Sequence, residues 1–141
     1  MGKANEVPAT SPRLDGSRVL VVEDDFFIGL ELAATLRDAG ADVVGPLQTV
    51  QSALAGAEDQ KLSAAILDIR LGNETVEPVA RRLAEHAIPF LFYTGQSTTD
   101  PVQAMWPDCR IVAKPALPGS LLSAIAALVT RSRRRSASGA R

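Results

Sequence analysis

The chain has 141 residues, of which 46% are hydrophobic and 22% charged, and a net charge of −1, which fits one globular domain with no room for a second core. No apolar stretch approaches the roughly 20 residues that cross a bilayer, and the first 17 residues lack the apolar centre of a signal peptide, so neither membrane insertion nor export is expected. One cysteine, Cys109, excludes an internal disulfide framework and fits a cytoplasmic location, and one histidine, His86, excludes Cys/His metal clusters.

Residues 1–16 mix Pro8, Pro12, Gly2 and Gly16 with polar residues in no period, which predicts a disordered segment. From Arg18 the pattern becomes regular. Val19 to Val22 read as a strand, and Phe27, Ile28, Leu32 and Leu36 as the apolar side of a helix capped by Asp24 or Asp25 and closed by Gly40. A strand over Asp42 to Gly45 precedes a helix with Val50, Ala53, Leu54 and Ala57 on one face, and Ala64 to Leu67 form the next strand. Thr75 is the expected N-cap of a third helix, with Pro78 in its first turn and Val79, Leu83 and Ala87 as its buried stripe.

A strand over Phe90 to Tyr93 leads into a segment where Pro101 and Pro107 leave a turn or two of helix. Ile111 to Ala113 form a last short strand, and Pro118 to Arg131 a last helix with Leu121, Leu122, Ile125, Leu128 and Val129 apolar. Residues 131–141 carry Arg131, Arg133, Arg134, Arg135 and Arg141 without an acid, the composition of a disordered basic tail on an acidic body. Five apolar strands alternating with helices predict an α/β fold, a doubly wound sheet of five parallel strands covered on both faces.

Ligands of open parallel sheets sit beyond the carboxyl ends of the strands. Four runs end there on chemically apt residues: Glu23-Asp24-Asp25, Asp68, Thr94-Gly95 and Lys114-Pro115. Singly each is a commonplace loop, cap or turn residue; in order, each closing its own strand, they form a set. Glu23, Asp24 and Asp68 make an oxygen-only pocket that calls for a hard cation, and Mg2+ suits it. Asp68, ending the middle run, is the candidate nucleophile for a phosphoryl group. Lys114 and Thr94 would serve the transferred oxygens, and a cis Lys114-Pro115 bond would aim the lysine.

With those residues in place, the sequence resembles the receiver domain of two-component response regulators over residues 17–130, in segments Val19–Asp25, Ile66–Asp68, Tyr93–Gly95 and Ala113–Pro115. The resemblance implies a flavodoxin-like (βα)5 fold and a phosphoacceptor, Asp68. It also implies Mg2+ held by Asp24 and Asp68 with the backbone carbonyl of Arg70, and a sensor histidine kinase as donor. It departs from the family at Ile111, where receivers carry Phe or Tyr. Ile88 to Gly95 is similar to an atypical subfamily with a Phe-x-Thr-Gly signature, although neither Gln96 nor Ser97 supplies the Tyr expected after the glycine.

The leading expectation is therefore a single-domain phosphoacceptor, not an enzyme. With no DNA-binding domain, it would signal through an unknown downstream protein or act as a phosphate sink. The alternatives are an aspartate-based phosphohydrolase, disfavoured by Arg70 where such enzymes place a second carboxylate, and a phosphorylation-independent binding module. Arg70 and Gln96 are expected to border the approach of water to the acceptor, His86 to be a surface residue, and Met105, Trp106 and Ile111 to contribute to a partner surface.

Overall fold

The computed structural model describes residues 12–95 and 100–139, with side chains described as far as 134. Five strands, β1 (Arg18–Val22), β2 (Asp42–Leu47), β3 (Ala64–Leu67), β6 (Phe90–Thr94) and β7 (Ile111–Ala113), form one sheet in the order β2-β1-β3-β6-β7. Every neighbouring pair in it is parallel. Helices α1 (Phe26–Asp38), α2 (Val50–Gly56), α3 (Glu77–Glu85), α4 (Pro101–Met105) and α5 (Pro118–Gly139) connect or follow the strands. This is the parallel α/β sheet expected from the apolar runs, in the flavodoxin-like arrangement that the resemblance implied.

Alternate side chains of the strands feed two separate apolar layers, as the two-residue period of a strand requires. Leu20, Val22, Ala65, Leu67, Phe90 and Phe92 pack with Val50, Ala53, Val79 and Leu83 of α2 and α3. Val19, Val21, Ala64, Ile66, Leu91 and Tyr93 pack with Leu32 and Leu36 of α1 and with Leu122 and Ile125 of α5. The strands β1 and β3 are covered on both faces, which is why they read as unbroken apolar runs.

Local signals set the helix ends. Asp25 caps α1, its Oδ1 accepting the Ile28 N–H at 3.0 Å. Gly40 follows that helix at φ +100°, a value glycine adopts without strain. Thr49 and Ser52 form a reciprocal capping box on α2.

Four expectations are corrected. Thr75 does not cap α3: it belongs to β5 (Glu74–Thr75), which pairs antiparallel with β4 (Arg70–Leu71), and Val76 precedes the helix without a side-chain cap. Gly72, at φ +63°, starts the two-residue loop of that hairpin. Ala87 is not in the buried stripe of α3: it lies past the helix end, exposed, at φ +58°. The stretch before residue 17 is not wholly unstructured: Leu14 is buried in the α1/α5 layer and donates its N–H to Ala39 O at 2.7 Å, whereas residues 1–11 lie outside those described. The last helix does not stop at Arg131. It runs to Gly139, and Arg133 Nη2 donates to Asp15 O at 2.9 Å, fastening α5 to the N-terminal turn.

Candidate functional site

The chain order β1, β2 and then β3 puts the turning point of the sheet between β1 and β3, so the loops after these two strands diverge and leave a crevice. Glu23 and Asp24 follow β1, and Asp68 follows β3. Backbone bonds fix both ends: Asp68 N–H donates to Val22 O at 2.9 Å and Glu23 N–H to Leu47 O at 2.9 Å. Thr94 closes β6, buried, and its carbonyl accepts the Lys114 N–H at 3.1 Å, setting the lysine level with the other strand ends.

Lys114 Nζ bridges two acids, 3.0 Å from Asp68 Oδ2 and 2.5 Å from Glu23 Oε1. It also stands 5.6 Å from the centroid of the Tyr93 ring, within range of a cation–π attraction. The Tyr93 hydroxyl in turn accepts the Ala116 N–H at 3.3 Å, pinning the loop after the lysine. The Lys114-Pro115 bond is cis, as expected.

The electrostatics follow from crowding. Glu23 is only 1% exposed, and burial, with the neighbouring Asp68 adding to it, pushes its carboxyl up to about 7 from 4.5 despite Lys114. Burial works against the Lys114 ammonium, but Glu23 and Asp68 together outweigh it, and its pKa is raised. The lysine therefore stays charged.

Glu23, Asp24 and Asp68 each offer one oxygen, all within 4.8 Å of one another. Glu23 Oε2 accepts the Asp25 N–H at 3.1 Å, but the buried Oε1 has its ion contact to Lys114 without a hydrogen bond of good geometry. A buried carboxylate oxygen left so, beside two more carboxylates, fits a hard divalent cation. Asp24 is held in place by the Gly72 N–H, 3.0 Å from its Oδ2, and by Gln48 Nε2, 3.2 Å from its backbone oxygen.

Of the sequence-predicted residues, Glu23, Asp24, Asp68, Thr94 and Lys114 lie at one sheet edge. Arg70 opens β4, two residues beyond Asp68, and its guanidinium turns to Asp100, Nη2 to Oδ2 3.0 Å. Gln96 lies outside the described residues. Ile111 is part-exposed on the edge strand β7. His86 is a surface residue, its Nε2 3.3 Å from Glu58 Oε1.

Trp106 is half-buried edge-to-face against Phe90. With Met105, Ile88, Cys109 and Arg131 it lines a cavity of about 330 Å3. That cavity lies at the opposite, N-terminal ends of β6 and β7, so it is separate from the carboxylates, whose convergence defines the candidate site.

Sequence reasoning passed over three contributors. Asp100 precedes Pro101 in the Asp-Pro order of a helix start, Gly72-Asn73 is a two-residue hairpin signal, and Tyr93 ends the same alternation as Leu91.

No protein-family model matches the chain. The transcriptional regulatory protein PdtaR of Mycobacterium tuberculosis is 31% identical over 103 residues, 72% of this chain and 48% of that protein. The chain thus spans about half the length of that curated relative. Among solved structures, SdrG of Sphingomonas melonis Fr1 is 38% identical with a TM-score of 0.69, over 80% of this chain and 96% of that one. A response regulator receiver protein of Sinorhizobium medicae WSM419 is 23% identical with a TM-score of 0.74, over 84% of this chain and 98% of that one, a likeness of fold.

Proposed function

Since the chain has the fold of the response regulator receiver domains, we propose that it is one of them and that Asp68 accepts a phosphoryl group from the phosphohistidine of a sensor histidine kinase. The observation that carries the reading is Lys114 Nζ bonded to Asp68 Oδ2 at the end of the central strand, with two further carboxylates within 4.8 Å. A carboxylate oxygen of Asp68 forms the new O–P bond as the N–P bond of the donor breaks, and the leaving imidazole takes up a proton. Lys114, charged and fixed by Tyr93 and the Thr94 carbonyl, neutralises a phosphoryl oxygen, and Thr94 at the end of β6 is placed to bind another. Asp24 and Asp68, with Glu23 behind them and the Arg70 carbonyl alongside, would hold Mg2+, which supplies charge neutralisation of the transferred group.

The donor protein has a surface to meet beside this pocket. Phe26, Phe27 and Leu30 are exposed on the first turns of α1, Phe27 at 77%, and Leu117 is exposed in the loop after β7. Apolar side chains left open at the rim of a charged site suit a transient partner.

No helix among the described residues is long and apolar enough to cross a membrane, which is compatible with a cytoplasmic kinase–acceptor pair. Phe92-Tyr93-Thr94-Gly95 supports a place among the atypical Phe-x-Thr-Gly receivers. We read the domain as a phosphoacceptor that signals through protein contacts or drains phosphate, not as a turnover enzyme, because Arg70 stands where a phosphohydrolase needs an acid/base carboxylate.

Acetyl phosphate with Mg2+ tests this by intact mass. One phosphoryl group per chain, absent from Asp68→Asn and lost in EDTA, is the expected result. Multiple turnovers would make the protein a hydrolase, and no labelling a phosphorylation-independent binding module.

A further inference from the structure

We propose that the Arg70–Asp100 ion pair carries phosphorylation of Asp68 to α4, serving as the relay that the aliphatic Ile111 cannot provide. The inference rests on the acceptor reading above. Arg70 follows Asp68 by two residues, so its backbone belongs to the loop framing the pocket, while its guanidinium reaches Asp100 at 3.0 Å. The two partners differ in freedom. The Arg70 side chain is half exposed, but that of Asp100 is only 6% exposed.

Asp100 also holds a helix. Its Oδ1 accepts the Val102 N–H at 2.9 Å and so caps α4. With five residues, Pro101–Met105, α4 is too short to persist without tertiary support. That support is the Asp100 cap at its start, the buried Val102, and Trp106 packed on Phe90 at its end. One acid thus secures the start of α4, and one cation neutralises that acid.

A phosphoryl group on Asp68, two residues before Arg70 in the chain, would offer the same cation a second, stronger anion. Guanidinium groups favour phosphoryl oxygens, which they bind with charge-assisted and often paired hydrogen bonds. Arg70, long and half exposed, is the mobile partner; Asp100, nearly buried and tied to Val102, is not. When Arg70 turns toward the phosphoryl group, Asp100 keeps its cap bond but loses its counter-ion at a nearly buried position, an unfavourable state. The start of α4 then shifts to return that carboxylate to water. The shift reaches Met105 and the Trp106–Phe90 contact at the other end of the helix. Arg70 is therefore a positioning residue for the output surface, and the side chain at 111 needs no rotamer change.

Trp106 is the only tryptophan, so its emission reports on α4 without a label. Wild type, Arg70→Ala, Arg70→Lys and Asp100→Asn are titrated with beryllofluoride and Mg2+, and each is labelled in parallel with acetyl phosphate. Asn caps a helix as well as Asp does, so Asp100→Asn removes the charge and keeps the cap.

In wild type the emission should change on adding beryllofluoride. Arg70→Ala, which strands the Asp100 carboxylate, should show the altered emission before addition, whereas Asp100→Asn, with no charge to strand, should keep the wild-type starting emission. In both, the change on addition should be reduced about fivefold or more. Arg70→Lys, which keeps the charge, should restore most of the response. Asp100→Asn, which alters neither the acceptor nor a metal ligand, should label to the same final stoichiometry as wild type. A full wild-type response in Asp100→Asn would overturn the relay, as would a silent Trp106 in stoichiometrically labelled wild type. Absence of labelling would overturn the acceptor reading and the relay with it, so the two failures are told apart.

Discussion

Replacing Glu23 with Gln should stabilise the metal-free protein above neutral pH and leave it almost unchanged near pH 5. Glu23 is one of the largest fully buried side chains, and its carboxyl titrates at about 7 instead of 4.5 because burial and Asp68 outweigh Lys114 and the Asp25 N–H. A group whose folded pKa is raised contributes stability that is complete below the unfolded value and lost as pH rises through the folded one. At about 1.4 kcal/mol per pH unit, the wild type loses about 3 kcal/mol between pH 4.5 and 7. Gln does not titrate, keeps the volume and an acceptor for the Asp25 N–H, and leaves Lys114 its bond to Asp68.

Urea unfolding in EDTA measures the difference. The midpoints of the two proteins should nearly coincide at about pH 5 and separate by about 1–3 M urea at pH 8, with Gln the more stable. Saturating Mg2+ should narrow that gap, because a cation beside Glu23 removes the reason for its raised pKa. A wild type as stable as Glu23→Gln at pH 8 in EDTA would refute the buried-carboxylate reasoning.

Two further outcomes follow from the packing. Leu14→Ala should cost about 2–4 kcal/mol in thermal or urea unfolding, since Leu14 fills the α1/α5 layer; a loss under about 0.5 kcal/mol would mean that the N-terminal turn is not part of the core. The Cys109 thiol, pushed up by burial to about 12 from 9.0, should be about a thousandfold poorer in thiolate at pH 8.5 than in the unfolded chain. Its reaction with a disulfide reagent should be slow in buffer and fast in urea, and equal rates would contradict its burial.

The central strands were legible because a strand covered on both faces must be apolar throughout, and Ala64–Leu67, buried at every position, has the bounds read from the sequence. The edge strand Ile111–Ala113, exposed at two of its three positions, also has the bounds read from its short apolar run. The same logic exposed the site, since a charged residue that ends such a run stands at the sheet edge, as Glu23, Asp68 and Lys114 do.

What escaped was set by distance along the chain or by the end of a pattern. Leu14 looks isolated among Pro12, Arg13 and Gly16, and only its bond to Ala39 and the closure of α5 over it make it core. Ala87 continues the spacing of Val79 and Leu83, but periodicity states which face is apolar and not where the helix stops. The hairpin of Arg70–Leu71 and Glu74–Thr75 is too short to show an alternation, so Thr75 passed for a cap. Asp100 has a local signal as a helix start, but nothing in the sequence joins it to Arg70.

The two apolar layers on either side of β1 and β3 have a consequence for folding. Glu23, Asp68, Thr94 and Lys114 come from four different strands, and the two central ones, β1 and β3, are held in place only when helices cover both faces. Parallel pairing of this kind joins segments far apart in sequence and is slow to form. Loss of any one of these strand pairings leaves the acidic pocket incomplete, so the whole site depends on the assembled sheet. Occupancy of that pocket by any ligand counts native molecules, and a destabilised variant loses its site in proportion to the fraction unfolded.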